Sequence, residues 1–119
     1  MQELTVAQIQ AAVREAKEAA YEAADQFFKD KLGGRDQYAC GFAWVNIYEY
    51  NGQKIKGNTK IGRAMKAAGI RQDYNRVFQI WNPSGYGCQN IDTLEEGARA
   101  AADVFKKYGF TAYAGSRLD

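Results

Sequence analysis

The amino-acid sequence predicts an α/β or α+β domain in which a long N-terminal helix precedes a small, mostly parallel sheet with two further helices packed on it. Apolar residues recur every three to four positions before the Gly33-Gly34 pair, and residues 41–50 alternate between two faces. Helical segments of about ten and fifteen residues then separate the later strands, which is typical of crossovers between parallel strands. The 119 residues are predicted to form one domain, with the N-terminal helix in 5–32 and the α/β core in 40–119.

The first helix is predicted from about Val6 to about Lys31. Thr5 and Gln8 form a capping-box pair at its start, and Gly33-Gly34 end it because glycine adopts a left-handed cap without strain. A heptad-like seam runs along this helix and consists of Ile9, Val13, Ala16, Ala20, Ala23 and Phe27. Small side chains in the seam let another backbone approach closely. The seam is therefore predicted to form a dimer contact or to pack on the sheet of its own chain.

The central strand is predicted between Gly41 and Tyr50, where side chains alternate between two faces. One face carries Phe42, Trp44, Asn46, Tyr48 and Tyr50. The Asn51-Gly52 pair is typical of a type I′ turn, so residues 53–56 are expected to return as a short second strand.

The second half of the chain is predicted to alternate helices with strands. Asn58 or Thr59 caps the middle helix, and Thr93 with Glu96 forms a second capping box at the last one. The predicted elements are a helix over 60–68, a strand over 76–81, an exposed loop over 82–90, a helix from 92 or 93 to 108, and a strand over 110–114.

The chain contains no histidine, which removes Ser-His and Cys-His catalytic pairs and histidine metal ligands. It carries eight Tyr, six Phe and two Trp residues, so stacking surfaces are plentiful. The acidic residues form no recognisable catalytic carboxylate pair. The composition therefore favours a protein that binds its ligand over an enzyme, and no cofactor is predicted.

Charge and cysteine content restrict the class of partner further. A net charge of +2 makes a general nucleic-acid partner unlikely, although local basic patches are possible. Cys40 and Cys88 lie far apart without a CxxC motif, so they are predicted to be reduced, buried thiols and not metal ligands. The sequence shows no stretch typical of a signal peptide or membrane span, which predicts a cytoplasmic protein.

The first candidate binding segment is the loop after the predicted strand over 76–81. It places two flat rings beside amides, hydroxyls and flexible glycines, a combination that suits a planar ligand. The candidate residues are Trp81, Asn82, Ser84, Tyr86 and Asn90. The alternative is that Pro83 and the glycines only shape a long turn while Trp81 fills the core.

Two basic groups and the central strand provide further candidates. Lys60 and Arg63 lie at the start of the middle helix, where exposed backbone N–H groups favour an anion, although solvated side chains are an equally simple interpretation. Arg117, near Tyr113 and Ser116, can contact phosphate in a bidentate manner or pair with Asp119. Trp44 and Asn46 complete the candidate set. If the strands end near one rim, these groups are predicted to share one pocket.

The segments 40–47, CGFAWVNI, and 112–119, AYAGSRLD, resemble those of small uncharacterised proteins encoded by tailed bacteriophages. The resemblance covers the chain from about Cys40 onward and implies a phage setting without implying an activity. It favours a protein of the host cell cytoplasm that acts on host machinery, either by sequestering a nucleotide signal of host defence or by blocking a host protein.

The predicted function is sequestration of a small phosphorylated or nucleotide-like ligand, such as a host-defence signal. The protein is predicted to be a homo-oligomer formed through the first helix. One alternative is a protein–protein inhibitor of a host factor or a phage assembly or accessory protein, in which exposed tyrosines anchor an interface. Another is single-stranded nucleic-acid binding through the aromatic strand face, against which the modest net charge counts.

Overall fold

The structure, a computed structural model, describes residues 4–36, 39–88 and 90–119 of the chain. The described part contains three helices and four strands in the order helix, strand, helix, two strands, helix, strand. They are α1 (Val6–Leu32), β1 (Gly41–Tyr48), α2 (Lys60–Ala67), β2 (Arg71–Gln72), β3 (Phe78–Trp81), α3 (Ile91–Lys107) and β4 (Thr111–Leu118).

The four strands form one sheet in the order β2-β3-β1-β4, and every pair of neighbours is antiparallel. The prediction of a mostly parallel sheet was therefore wrong, while helices combined with a small sheet are confirmed. The helical connections do join parallel strands, since β1 and β2 run in the same direction, as do β3 and β4. A third strand is inserted within each of these pairs, which is a split βαβ arrangement. Insertion of those strands makes all the neighbours antiparallel.

Helix α1 begins where its cap predicts. The Thr5 side chain accepts a hydrogen bond from the Gln8 N–H while the Gln8 side chain accepts one from the Thr5 N–H, and Gly33 ends the helix with φ of 62°. Its fully buried side chains are Ile9, Ala12, Ala16, Ala20 and Ala24. The predicted seam is thus confirmed at three positions and shifted by one residue at two others. This face packs mainly on α3 of the same chain.

The core lies between the sheet and the two long helices. β1 contributes Val45 and Ile47, and β3 contributes Phe78 and Ile80. Phe105 from α3 packs edge-on against the Phe110 ring, with ring centroids 6.2 Å apart. Elements from both ends of the chain therefore share one apolar cluster, and none of the three described helices packs on the opposite face of the sheet.

Three local predictions differ from the structure. Residues 53–56 form no strand; a Glu49 N–H donates to the Gln53 carbonyl, but pairing goes no further. The strand predicted over 76–81 is confined to β3, and the short β2 precedes it. Arg117, predicted to follow the last strand, lies within β4, because pairing with β1 extends this strand to Leu118.

Candidate functional site

The open face of the sheet is the main candidate site. In β1 the side chains that point away from the helices are Phe42, Trp44, Asn46 and Tyr48, as the alternation in the sequence predicts. Strand register then brings Trp81 opposite Trp44 and Gln79 opposite Asn46 on one side. On the other side it brings Arg117 opposite Phe42 and Tyr113 opposite Asn46. We call these eight residues the aromatic face.

The rings of the aromatic face form two groups along β1. Trp44 and Trp81 stack with ring centroids 5.0 Å apart and an interplanar angle of 27°, and Phe42 lies 6.0 Å from Trp81. Tyr48 and Tyr113 meet edge to face at 5.8 Å at the other end. Trp81 is 51% exposed and Tyr113 is 57% exposed. Large apolar surfaces thus remain open to solvent on the side of the sheet that carries no helix.

A glycine on β4 sets the position of Trp44. A Cβ atom at Gly115 would lie 2.4 Å from Trp44 Nε1 and within 3 Å of two ring carbons. The indole ring therefore lies across the β4 backbone, where only glycine leaves it room. This contact fixes the ring against the sheet.

Hydrogen-bonded amides occupy the space between the two ring groups. Gln79 Nε2 donates to Asn46 Oδ1 at 2.7 Å, and Trp81 Nε1 donates to Gln79 Oε1 at 3.1 Å. The chain of bonds holds both amides and the Trp81 indole in one orientation. Such ordered polar groups between rings can fix the orientation of a bound planar molecule.

Cations lie at both ends of this surface. The Arg117 guanidinium carbon lies 5.5 Å from the centroid of the Phe42 ring and 6.0 Å from that of Trp81, within cation–π distance. Arg71 on β2 lies at the other side, and a cavity of about 680 Å³ extends between them. Asp73 is the one acidic residue among the described residues that line it. The site therefore combines stacking surfaces with positive charge.

Four of the ten predicted ligand-binding residues line this cavity: Trp44, Asn46, Trp81 and Arg117. Lys60 and Arg63 do not, because both lie on α2. Arg63 Nη1 donates to the Asn58 carbonyl at 2.5 Å and so folds back on the segment before its own helix. The predicted single pocket is thus divided in the structure.

The loop over 82–90 is only partly exposed, since four of its eight described residues are buried, which corrects the prediction of an exposed loop. Pro83, Ser84 and Cys88 are buried, and Asn90 is only 1% exposed. Asn90 Oδ1 accepts from the Thr93 N–H and hydroxyl, so this residue caps α3 and the helix begins at Ile91, before the predicted start. Asn82 stays exposed and lines a cavity of about 260 Å³ with Cys40 and Cys88. Gln89 lies outside the described residues.

Tyr86 is held by α1 and does not reach the aromatic face. Its hydroxyl donates to Asp25 Oδ1 at 2.7 Å, and its ring lies 5.4 Å from both Tyr21 and Phe28. The hydrogen bond to Asp25 raises the pKa of Tyr86 to about 12. The same bond is the main cause that lowers the pKa of Asp25. Tyr86 therefore joins the loop to the helix layer.

Several residues that line this cavity or the aromatic face were not among the binding residues predicted from the sequence. Phe42 and Tyr48 share the alternation of Trp44, so the period of two was a sufficient signal for both. Gln79 and Arg71 gave no such signal, because β3 has four residues and β2 has two. Their places depend on pairing with a neighbouring strand.

Among residues 4–36, 39–88 and 90–119, no group of His, Cys, Asp or Glu side chains has a geometry that can hold a metal ion. Cys40 is exposed and Cys88 is buried; burial raises the pKa of the Cys88 thiol. Within these residues no helix is both long and apolar enough to cross a membrane.

Comparisons with protein-family models, curated proteins and solved structures gave no match to this chain.

Proposed function

We propose that the protein binds a nucleotide-like ligand on the aromatic face and retains it without chemical change. The observation that carries this proposal is the Trp44–Trp81 stack with Arg117 beside it, on a sheet face without a covering helix. A nucleobase stacks on the exposed indole surface of Trp81, and Arg117 or Arg71 contacts phosphate.

The proposed contacts are strong enough for useful affinity. Stacking of one base on an aromatic side chain contributes about 1–3 kcal/mol, and a guanidinium adds charge-assisted hydrogen bonds to phosphate. The Asn46 and Gln79 amides lie within the same cavity and provide donors and acceptors for base edges. In a phage-infected cell, such a protein would lower the free concentration of a nucleotide signal of host defence.

Calorimetric titration with cyclic nucleotides, mononucleotides and ADP-ribose tests the proposal. We expect saturable binding of at least one of these, with quenching of tryptophan fluorescence because both tryptophans lie at the site. Trp81→Ala should weaken binding at least tenfold, equivalent to about 1.4 kcal/mol, through loss of the stacking surface.

Tyr50→Ala is the matched control for Trp81→Ala. Tyr50 is 63% exposed but does not line the cavity, so its truncation should leave affinity unchanged. Absence of binding for the whole panel would contradict the proposal, as would equal losses in the two variants.

A protein–protein inhibitor is the second candidate function. It is favoured by Tyr74, which is 95% exposed at the rim of the cavity and adds apolar area to the aromatic face. Exposed tyrosine and tryptophan side chains are frequent anchors in protein interfaces. A pull-down from host lysate that captures one protein with the wild type and not with Trp81→Ala would favour this function over ligand capture.

A further inference from the structure

A second cavity, of about 610 Å³, lies next to the aromatic face and is lined by positive charge. Its basic residues are Lys54, Lys56, Lys66 and Arg76, and no acidic residue is among the described residues that line it. Residues 49–81 contain seven Lys or Arg residues and two acidic ones, whereas the whole chain carries a net charge of only +2. Positive charge is therefore concentrated in this segment. We call this second site the basic cavity.

Local contacts shape the basic cavity. Lys54 Nζ donates to the Asn75 carbonyl at 3.0 Å, and Gln72 Nε2 donates to the Arg76 carbonyl at 3.1 Å. Gly57 lets the ammonium group of Lys66 approach, since a Cβ atom there would lie 2.8 Å from Lys66 Nζ. These contacts hold Lys54 on the turn that follows β2 and Lys66 beside the loop that precedes α2.

The cations of the basic cavity have no acidic partner among the described residues. The ion pairs of the described chain join residues of α1 and α3, and none of the four basic residues that line the cavity has a described carboxylate within 4.0 Å. Like charges that are held close together repel one another, and an anion that binds between them removes this repulsion. A phosphate group has the charge and the acceptor oxygens for this role.

The basic cavity continues into the aromatic face. Gln72 and Asn75 line both cavities, and β2 with its following turn forms the shared edge. The row from Phe42 to Tyr48 spans about 20 Å along β1, at 3.3–3.4 Å per residue. One nucleotide fills only part of this row and leaves the basic cavity vacant. The combined surface fits a ligand with several bases and several phosphates.

We infer that the ligand is a single-stranded oligonucleotide, with bases on the aromatic face and backbone phosphates in the basic cavity. This inference rests on the proposed function and names the ligand class for that site. Aromatic stacking requires bases with a free face, which a single strand offers and the interior of a duplex does not. The net charge of the chain does not oppose the inference, because nine of the fourteen acidic residues lie on α1 and α3. Asp73 is the one acidic residue among the described residues that line the two cavities.

Fluorescence anisotropy with labelled oligothymidylate of about twelve nucleotides tests the inference, since single-strand sites commonly cover about 4–16 nucleotides. Thymidine monophosphate and the same oligonucleotide annealed to its complement are measured as competitors. We expect the single strand to bind at least tenfold more tightly than either competitor. Affinity should fall with salt concentration, because bound cations release counterions from the strand.

The double variant Lys56→Gln/Lys66→Gln examines the basic cavity itself. Each lost phosphate contact should reduce the slope of log affinity against log salt by about 0.7, so the pair should reduce it by about 1.4. Lys31→Gln/Lys106→Gln removes the same charge from the exposed surface of α1 and α3 and should leave the slope nearly unchanged. Circular dichroism of all variants verifies that they fold.

Each outcome decides between the two proposals. If thymidine monophosphate or the duplex binds as tightly as the single strand, the oligonucleotide inference is wrong while nucleotide binding still holds. Equal slopes for the two double variants would also overturn the inference. If neither nucleotides nor oligonucleotides bind, both proposals are wrong.

Discussion

At the scale of single residues, Tyr86 shows how one hydroxyl joins two layers of the fold. Its bond to Asp25 holds the 82–90 loop on α1, and its ring fills the space between Tyr21 and Phe28. A hydrogen bond of 2.7 Å to a carboxylate favours the protonated phenol over the phenolate. The free energy of unfolding should therefore depend on pH in the alkaline range.

The folded-state pKa of Tyr86 is about 12 and its ordinary value is 10.0. Because the folded-state value is raised, this contribution to the free energy of unfolding is fully present below pH 10.0 and is lost as the pH rises to about 12. Tyr86→Phe should therefore lose less stability than the wild type across this window. Denaturant unfolding below pH 10.0 and within the window measures the difference.

Tyr74→Phe is the matched control, since Tyr74 is 95% exposed and makes no hydrogen bond to a described residue. It should follow the wild-type pH profile. A Tyr86→Phe profile that coincides with that of the wild type would show that the Asp25 bond has no effect on stability.

At the scale of elements, the alanine face of α1 shows how a helix seam is buried by another helix of the same chain. Ala16 and Ala20 are fully buried, and α1 packs on α3 so closely that a Cβ atom at Gly97 would lie 3.1 Å from the Ala20 carbonyl oxygen. The backbone that approaches the alanine face of α1 is therefore that of α3 in the same chain. Self-association through the first helix remains a proposal, and it would use the exposed surface of α1.

Glutamate at Ala20 tests which partner the seam has. Ala20→Glu places an unpaired carboxylate between α1 and α3 and should lower the free energy of unfolding by about 3–5 kcal/mol. Ala7→Glu, at an exposed position of the same helix, should have little effect. Urea unfolding and sedimentation of both variants measure stability and mass. An Ala20→Glu protein with wild-type stability but a smaller mass would instead place the seam between two copies.

The strand order is also an element-scale property. Local periodicity predicts that α2 and α3 connect parallel strands, and both do. Local periodicity does not show whether a third strand lies between the two parallel strands of each pair. That depends on which apolar surfaces meet in the folded chain. The fold class was therefore predictable, and the antiparallel neighbours were not.

At the scale of the whole molecule, one core joins every helix and three of the four strands. The cluster includes Ile9 from α1, Ile61 from α2, Phe105 from α3 and Ala112 from β4. No element has a separate apolar core large enough to support it alone, which predicts cooperative unfolding. The aromatic face lies outside this cluster, so the proposed binding surface and the core occupy opposite sides of the sheet.

Denaturant unfolding followed by two signals tests this cooperativity. Tryptophan fluorescence reports on the sheet face, because Trp44 and Trp81 are the only two tryptophans, and far-ultraviolet circular dichroism reports mainly on the helices. The two transitions should share one midpoint and one slope. A separate, earlier loss of tryptophan signal would mean that the sheet unfolds independently of the helices.

Local sequence patterns determined the helices, the alternation of β1 and the aromatic character of its open face, because caps and periodicity act over a few residues. Tertiary structure decided which other groups join that face. Strand register placed Trp81, Arg117 and Tyr113 beside β1. The hydrogen bond to α1 removed Tyr86 from the site, and the capping of α3 removed Asn90 from it. The physical reason is that a site formed across strands depends on contacts between residues that are distant in the chain. A local sequence pattern does not determine those contacts.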